Sequence, residues 1–275
     1  MVGEVKEWGG AAVRPPLLFG QVPKVAFSRP LAFHRPMSSS LLTSSGEVFV
    51  LTRDESFAEL ARRIHALAVR GPATVALSGG STPKAFYAWA VASGALSAQT
   101  LERITWHVSD ERCVPQSSDD SNFGHAARGL LDPLQVPAAR RQPWPVELTP
   151  AAAAAAYDAV WQAQPNKAYD LCVLGLGDDS HIASLWPQCP LIGAPGLPRF
   201  VATEWPGRGW RLTITEVGLA QCGSVVVLVN GQSKAAALLS VCAGEFDPAR
   251  YPGQVLRALA HKVTWLADAE AASAL

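Results

Sequence analysis

The segment Tyr169–Pro187, with the sequence YDLCVLGLGDDSHIASLWP, contains the residues of this chain that are best suited to chemistry. An apolar run ends in a Gly-x-Gly turn, and Asp179 and His181 follow that turn directly. A buried strand with such an ending belongs at the carboxyl edge of a sheet, where open α/β folds bind ligands. A histidine beside a carboxylate that fixes its tautomer can act as a general base near neutral pH. The segment therefore predicts a site in which His181 and Asp179 are catalytic.

Two other interpretations of this segment stay open. The spacing of Gly175, Gly177 and Ser180 imitates a dinucleotide-binding fingerprint, and Glu204 lies at a suitable distance to bind a ribose. However, the two aspartates of the turn would repel a pyrophosphate, and Pro187 shortens the helix that the fingerprint requires. The second alternative is a structural histidine in an ordinary strand–helix turn, and it is the stronger of the two.

A second strand–helix junction, Ser78–Pro83 (SGGSTP), has the composition of an anion-binding turn. Its two glycines let the backbone approach a ligand closely, and the serine and threonine that follow add hydroxyl donors. A helix that opens with proline offers free amide N–H groups suited to a phosphate. No GK[ST] sequence follows, so this is not a P-loop, and a plain glycine turn before a helix is the alternative. The residues predicted to bind phosphate are Ser78, Gly79, Gly80, Ser81 and Thr82.

A third junction, Trp106–Arg112 (WHVSDER), again ends a strand with polar groups. Arg112 can bind a phosphate or carboxylate through bidentate hydrogen bonds. Asp110 can act as a general acid, as a general base or as the acceptor of a hydrogen bond from a substrate hydroxyl. A surface salt bridge is the alternative. Arg211, which opens the RLTIT strand, and Lys234 lie at comparable junctions. Together with Arg112 they predict a cationic set for a small anionic substrate.

The composition limits the classes of function. The 275 residues are 49% hydrophobic, enough for a sizeable core, and 23 basic residues balance 23 acidic ones, so no broad basic field suggests nucleic acid as a partner. The apolar runs are shorter than the ~18 residues that a membrane span needs. Five scattered cysteines without a CxxC pair favour reduced thiols in the cytoplasm over disulfides or a zinc site. We expect the chain to bind a small molecule, and we expect it to bind no nucleic acid, membrane or metal ion.

Residues 1–36 differ from the rest of the chain. They carry five basic and two acidic side chains, and five prolines interrupt any helix or signal-peptide core. Met37 then opens a segment that reads like a natural start, just before the first predicted strand. We expect residues 1–36 to be a disordered leader or start-site extension without a catalytic role, and residues 37–275 to form the functional domain.

Strand and helix patterns alternate along residues 47–266. The predicted strands are 47–52, 74–78, 104–108, 170–174, 200–203, 211–215, 224–229 and 263–266. The predicted helices are 56–69 with Asp54 as its cap, 122–131, 151–164, and three that begin near 83, 216 and 233. Alternation of this kind predicts a single α/β domain with a largely parallel, twisted, Rossmann-like sheet and helices on both faces.

Five motifs occur in the order and spacing of the 6-phosphogluconolactonase family, which the chain resembles over residues 47–266. They are SGGSTP, DER followed by SSDDSNFGHA, GLGDDSHIASLWP, RLTIT and VNGQSKAAAL. Glucosamine-6-phosphate deaminase is a close relative of that family with the same fold. Arg112 stands where a deaminase typically has tyrosine, and HIASLWP resembles the lactonase sequence HTASLFP and lacks the deaminase's glutamate. These two details favour the lactonase branch.

The resemblance implies hydrolysis of 6-phospho-D-glucono-1,5-lactone to 6-phosphogluconate, in the oxidative pentose phosphate pathway, without a metal or organic cofactor. His181 would take a proton from the attacking water, and Asp179 would orient the imidazole. Arg112, Arg211 and Lys234, with the SGGSTP amides, would hold the phosphate. A deaminase or isomerase of an amino-sugar phosphate and a non-catalytic sugar-phosphate sensor stay open, as does a monomer or a small homo-oligomer.

The resemblance has one departure, because Ser180 stands where the family has the glycine of its DGH sequence. If that position needs a positive φ, serine costs roughly 1 kcal/mol or more in local strain. An altered activity is therefore one expectation at this position.

Overall fold

The structure is a computed structural model that describes residues 1–2, 39–161, 163 and 167–275. The expectations for residues 1–36 therefore fall almost entirely outside the described residues. All elements given below belong to one unit, Leu31–Leu275. Among the described residues, no helix combines the length and apolar character needed to cross a bilayer.

The described residues form ten strands and seven α-helices. The strands are β1 Ser39–Thr43, β2 Gly46–Val50, β3 Ala73–Leu77, β4 Ile104–Val108, β5 Asp110–Arg112, β6 Leu171–Gly175, β7 Phe200–Trp205, β8 Gly209–Ile214, β9 Ser224–Val229 and β10 Val263–Ala267. The helices are α1 Arg53–Arg70, α2 Ser81–Ser93, α3 Ala98–Arg103, α4 Asn122–Ala126, α5 Pro150–Ala159, α6 Glu216–Ala220 and α7 Ala235–Cys242. A π-helix spans Ala127–Leu131, and 3₁₀ helices span Ala138–Arg140, Gln232–Lys234 and Pro252–Lys262.

Seven strands form the main sheet in the spatial order β1-β2-β10-β9-β6-β3-β4. All neighbours pair in parallel except β1 and β2, which form an antiparallel hairpin. The central strands are buried runs such as the SVVVLV sequence of β9, because helices cover both faces of the sheet. The predicted fold class, a single α/β domain with a largely parallel sheet, is confirmed.

The connections of the main sheet reverse direction between two neighbouring strands. From β3 the chain crosses to β4 on one side, and from β6 it crosses to β9 on the other side, although β3 and β6 are paired. A crevice forms outside the carboxyl ends of the strands at such a switch point, because the two loops leave in opposite directions. The loops after β3 and β6 carry the SGGSTP and GLGDDSH sequences.

A second, antiparallel sheet has the order β5-β8-β7 and was only partly predicted. Its hairpin joins β7 to β8, which begins two residues before the predicted start at Arg211. β5 was missed because its three residues, DER, are all charged and too few to show a strand period. This sheet brings β5 and β8 next to the crevice.

Several helix bounds differ from the predictions for local reasons. Helix α1 begins at Arg53 rather than near 56, because Thr52 and Glu55 form a capping box, so Asp54 is not the cap. The predicted helix 122–131 changes from α to π after Ala126. Helix α5 ends at Ala159, before the predicted end at 164.

Candidate active site

One pocket lies at the switch point and gathers the predicted site residues from both sheets. The predicted residues that line it are Ser78, Gly79, Gly80, Ser81, Thr82, Asp110, Arg112, His181, Arg211 and Lys234. Asp179 does not line the pocket and lies behind His181, which it contacts. Residues as far apart in sequence as Ser78 and Lys234 therefore share one crevice.

The imidazole of His181 is held by the carboxylate of Asp179. The distance from Nδ1 of His181 to Oδ1 of Asp179 is 2.5 Å, and the backbone N–H of His181 donates to the same oxygen at 3.1 Å. These hydrogen bonds from His181 lower the pKa of Asp179 to about 2, so its carboxylate is ionised and accepts a hydrogen bond from Nδ1–H. The Nε2 atom then carries the lone pair, as a base that faces the pocket requires.

Gly177 leaves the space in which this pair forms. A Cβ atom at position 177 would lie 2.0 Å from Nδ1 of His181 and 2.5 Å from Oδ1 of Asp179. No side chain fits there without displacing the imidazole or the carboxylate. The second glycine of the Gly-x-Gly turn is therefore required by the pair itself.

Ser180 occupies the left-handed region, with a φ of +67°. Its N–H donates to the carbonyl of Gly177 at 3.0 Å, and its own carbonyl accepts from the N–H of Gly253 at 2.8 Å. The side chain is buried, with the residue 2% exposed. The turn before His181 thus has the positive φ that glycine adopts without strain, and a serine occupies it.

Asp110 is fixed in the pocket wall by two hydroxyl groups. The Oγ atom of Ser184 donates to Oδ2 at 2.7 Å, and the Oγ atom of Ser109 lies 3.2 Å from Oδ1. Ser184 follows His181 on the same loop and was missed by the sequence analysis. The contact ties the loop that carries the imidazole to the third junction, Trp106–Arg112.

The alternative of a surface salt bridge at this junction is wrong, because Asp110, Glu111 and Arg112 form no ion pair with any described residue. Glu111 is buried and accepts hydrogen bonds from the N–H groups of Arg112, Asn122 and Phe123 at 2.7–2.8 Å. The hydroxyl of Ser121 donates to it at 3.0 Å as well. Glu111 therefore holds the start of α4 and leaves Arg112 without an acidic partner in its own sequence motif.

The SGGSTP segment leaves β3 and enters α2 at the pocket. Gly80 precedes the helix with a φ of +95° and supplies no side-chain cap, so the first amide groups of α2 stay available to a ligand. A Cβ atom on Gly79 would lie 2.0 Å from Oδ1 of Asn122. Asn122 also lines the pocket, and its Nδ2 donates to the carbonyl of Asp110 at 2.9 Å. Asn122 is a second site residue that the sequence analysis missed.

Positive charge collects on one wall of the pocket. Arg112 and Arg211 are register partners in β5 and β8, and Arg208 lines the pocket beside them. Burial lowers the pKa of Arg211 first, and the neighbouring charges of Arg112 and Arg208 lower it further. Lys234 differs from these arginines, because its Nζ is paired with Oδ1 of Asp178 at 2.5 Å.

Trp205 forms the wall next to the imidazole. Its ring lies 5.2 Å from that of His181 at an interplanar angle of 79° and stacks on Trp186 at 4.9 Å and 17°. Neither Trp205 nor Arg208 was predicted, since both belong to the β7–β8 hairpin and no motif precedes them. Their contact with the pocket depends on the second sheet.

The donor set of the pocket does not resemble a metal centre. In the part of the chain that the structure describes, no three His, Cys, Asp or Glu side chains are grouped as metal ligands are. The arrangement instead combines an oriented imidazole, a buried carboxylate and a cationic wall. Such a site can bind an anion and move a proton.

Comparison with known proteins places the chain in one family. Residues 50–265 match the family described as glucosamine-6-phosphate isomerases/6-phosphogluconolactonase. The chain is 36% identical over 215 residues to a 6-phosphogluconolactonase from Synechocystis, covering 75% of this chain and 86% of that protein.

Solved structures agree in fold with this assignment. The 6-phosphogluconolactonase from Trypanosoma brucei is 26% identical, with a TM-score of 0.70 over 86% of this chain and 100% of that one. A monomeric glucosamine-6-phosphate deaminase is 18% identical and shares the fold, with a TM-score of 0.69 over 83% of this chain and 99% of that one. This chain belongs to the glucosamine-6-phosphate isomerase/6-phosphogluconolactonase family.

Proposed function

We propose that the protein hydrolyses 6-phospho-D-glucono-1,5-lactone to 6-phosphogluconate. The observation that carries the proposal is the pairing of His181 with Asp179 in a pocket that Arg112 and Arg211 also line. An oriented base serves the attack of water, and the guanidinium groups serve a phosphate. The relatives named 6-phosphogluconolactonase support this substrate class.

The proposed reaction begins with the phosphate bound by Arg112, Arg211 and Lys234, with the amide groups at the start of α2 as further donors. His181 Nε2 accepts a proton from water while the water oxygen forms a bond to the lactone carbonyl carbon. Asp179 keeps Nδ1 protonated and stabilises the imidazolium.

The tetrahedral intermediate then collapses, and the bond from C1 to the ring oxygen breaks. The proton on His181 passes to that ring oxygen, which becomes the new hydroxyl group, and the product acid ionises to a carboxylate. The developing oxyanion needs a preorganised donor, and our candidates are nearby backbone amides or the Arg112 guanidinium, which would then leave the phosphate to Arg211 and Lys234. In this proposal Asp110, held by Ser184, accepts a hydrogen bond from a hydroxyl group of the substrate.

Two properties of Arg112 and the His181 loop favour lactone hydrolysis over deamination. The loop continues as Ile182–Pro187 (IASLWP) without the glutamate that the deaminase resemblance requires. Only the backbone N–H of Arg112 bonds to Glu111, and its guanidinium, which donates to the carbonyl of Asp120, keeps further N–H groups for the substrate. The cytoplasmic location, a cofactor-free reaction and a monomer or small homo-oligomer stay predictions.

The test is a direct comparison of two reactions. The purified protein is assayed for hydrolysis of 6-phosphogluconolactone in excess chelator, with spontaneous opening in buffer subtracted, and for ammonia release from glucosamine 6-phosphate. We expect acceleration of the first reaction only. Ammonia release without lactone hydrolysis would assign the deaminase activity. If the protein accelerates neither reaction, the sugar-phosphate sensor is the remaining candidate.

A further inference from the structure

Arg208 lies at the tip of the hairpin between β7 and β8. Its N–H donates to the carbonyl of Trp205 at 2.9 Å, and Gly207 and Gly209 on either side have φ values of +73° and +74°. These left-handed residues allow a tight turn. Arg208 itself is exposed, yet it lines the pocket.

The guanidinium of Arg208 rests on an aromatic platform. Its Cζ lies 4.7 Å from the ring centroid of Trp205, within the range of a cation–π contact. Trp205 is fixed in turn by stacking on the buried Trp186. The platform holds a flexible side chain at the pocket wall, and the imidazole of His181 contacts the same Trp205 ring.

The charge of Arg208 is not neutralised by the protein. Within the described ranges, no carboxylate forms an ion pair with Arg208, Arg112 or Arg211. Of the eleven other arginines in that part of the chain, six have one, among them Arg62 with Glu59. Three unpaired guanidinium groups around one crevice repel each other, so an anion with more than one negative charge is the ligand that best offsets them.

We infer that Arg208 is a substrate-binding residue that contacts the phosphate group from the β7–β8 hairpin, with Trp205 as the residue that positions it. The inference rests on the proposed function for the identity of the substrate. It adds a specificity role, in which Arg208 selects a dianionic phosphate over an uncharged hydroxyl at the same position. An arginine suits this role because its fork can make two hydrogen bonds to phosphate oxygens.

The test compares a phosphorylated and an unphosphorylated substrate. kcat and KM are measured for 6-phosphogluconolactone and for glucono-1,5-lactone with the wild type, Arg208→Gln and Arg208→Lys. Loss of one charge-assisted contact predicts a fall in kcat/KM of about 10- to 100-fold on the phosphorylated lactone, mainly through KM. On glucono-1,5-lactone the change should stay within about twofold, and lysine should restore part of the loss.

The matched control is Arg53→Gln. Arg53 is an exposed arginine on α1 that does not line the pocket, so this change should alter kcat/KM for neither lactone. Trp205→Leu should raise KM for the phosphorylated lactone in the same direction as Arg208→Gln, but by less. Trp205→Phe, which keeps an aromatic ring, should restore the wild-type KM. Equal losses on both lactones would make Arg208 a structural residue. An unchanged preference for the phosphorylated lactone would overturn the inference.

A second measurement separates this inference from the proposed function. Inorganic phosphate should raise the melting temperature of the wild type more than that of Arg208→Gln. If the wild type hydrolyses neither lactone but shows this difference, the proposed function fails and the anion contact of Arg208 stands. Equal protection of both proteins by phosphate would overturn the contact itself.

Discussion

Arg112 and Arg211 lie directly opposite each other in the register of β5 and β8. Neither has a carboxylate partner among the described residues, although Arg112 donates to the backbone carbonyl of Asp120 at 2.5 Å. Like charges at directly opposite positions of a sheet destabilise it. The repulsion between these two cations on the pocket wall therefore lowers the stability of the second sheet.

Replacing one of the two arginines should remove this repulsion, and the free energy of unfolding should show the effect. We expect Arg211→Gln to leave the free energy of unfolding unchanged or raise it by about 0.2–1 kcal/mol, because the repulsion across β5 and β8 is removed. The same change should lower kcat/KM for 6-phosphogluconolactone by about 10- to 100-fold. Urea unfolding without added anions and steady-state kinetics measure the two effects. A clear loss of stability with normal kinetics would contradict the assignment of Arg211 to the substrate.

Asp178 competes with an incoming anion for Lys234. The pair between them lowers the pKa of Asp178, whose side chain is 68% exposed and can turn away. Removing its charge by Asp178→Asn should strengthen competitive inhibition by inorganic phosphate about threefold, the effect of one charge some 6 Å away in water. Asp54→Asn, an exposed acid on α1, is the control. Weaker inhibition in Asp178→Asn would mean that Asp178 positions Lys234 rather than opposing the anion.

The positive φ of Ser180 makes a specific prediction for Ser180→Gly. Glycine relieves the strain but adds entropy to the unfolded chain, so the free energy of unfolding should change by about 1 kcal/mol at most. Turnover should rise or stay unchanged. The control, Ser240→Gly in the α7 helix, should destabilise by about 0.5–1 kcal/mol. Loss of activity in Ser180→Gly would show that the serine hydroxyl takes part in the site.

His107 should make the folded protein sensitive to acid. It is buried beside Trp161, with its Nδ1 2.7 Å from the hydroxyl of Tyr157 and its ring against Tyr169, and burial lowers its pKa to about 3. The unfolded chain takes up a proton below about pH 6.5 and the folded chain does not. Stability contributed by neutral His107 is therefore complete above pH 6.5 and is lost as pH falls toward 3.

The loss approaches about 1.4 kcal/mol for each pH unit. Unfolding by urea between pH 4.5 and 7.5 should show a shallower dependence on pH in His107→Gln than in the wild type. The exposed His261 provides the control, because His261→Gln should keep the wild-type slope. Identical slopes in all three proteins would contradict a neutral buried His107.

The sequence predicted six of the seven strands of the main sheet, missing only β1, and much of the pocket, because these depend on local signals. Long apolar strands, glycine turns and capped helices identify the loops after β3 and β6, and the pairing of β3 with β6 brings those loops together at the switch point. The residues that were missed lie where tertiary contacts decide. Ser184 acquires its role by contacting Asp110, 74 positions away, and no spacing rule connects the two.

The second sheet explains the other omissions. β5 is too short and too polar to be recognised as a strand, yet its pairing with β8 brings Arg112 opposite Arg211. The same pairing turns the hairpin of β7 and β8 toward the pocket, and with it Trp205 and Arg208. Their position depends on which strands pair, so neither residue type nor local pattern could predict it.

The central claim is that His181 removes the proton of the attacking water in lactone hydrolysis. The most direct test is the turnover of His181→Asn on saturating 6-phosphogluconolactone, corrected for spontaneous opening, beside wild type. We predict a fall of about 100- to 10,000-fold in kcat, the usual contribution of general acid–base catalysis, with KM nearly unchanged. Near-normal turnover in His181→Asn would contradict the account and leave Asp110 as the candidate base.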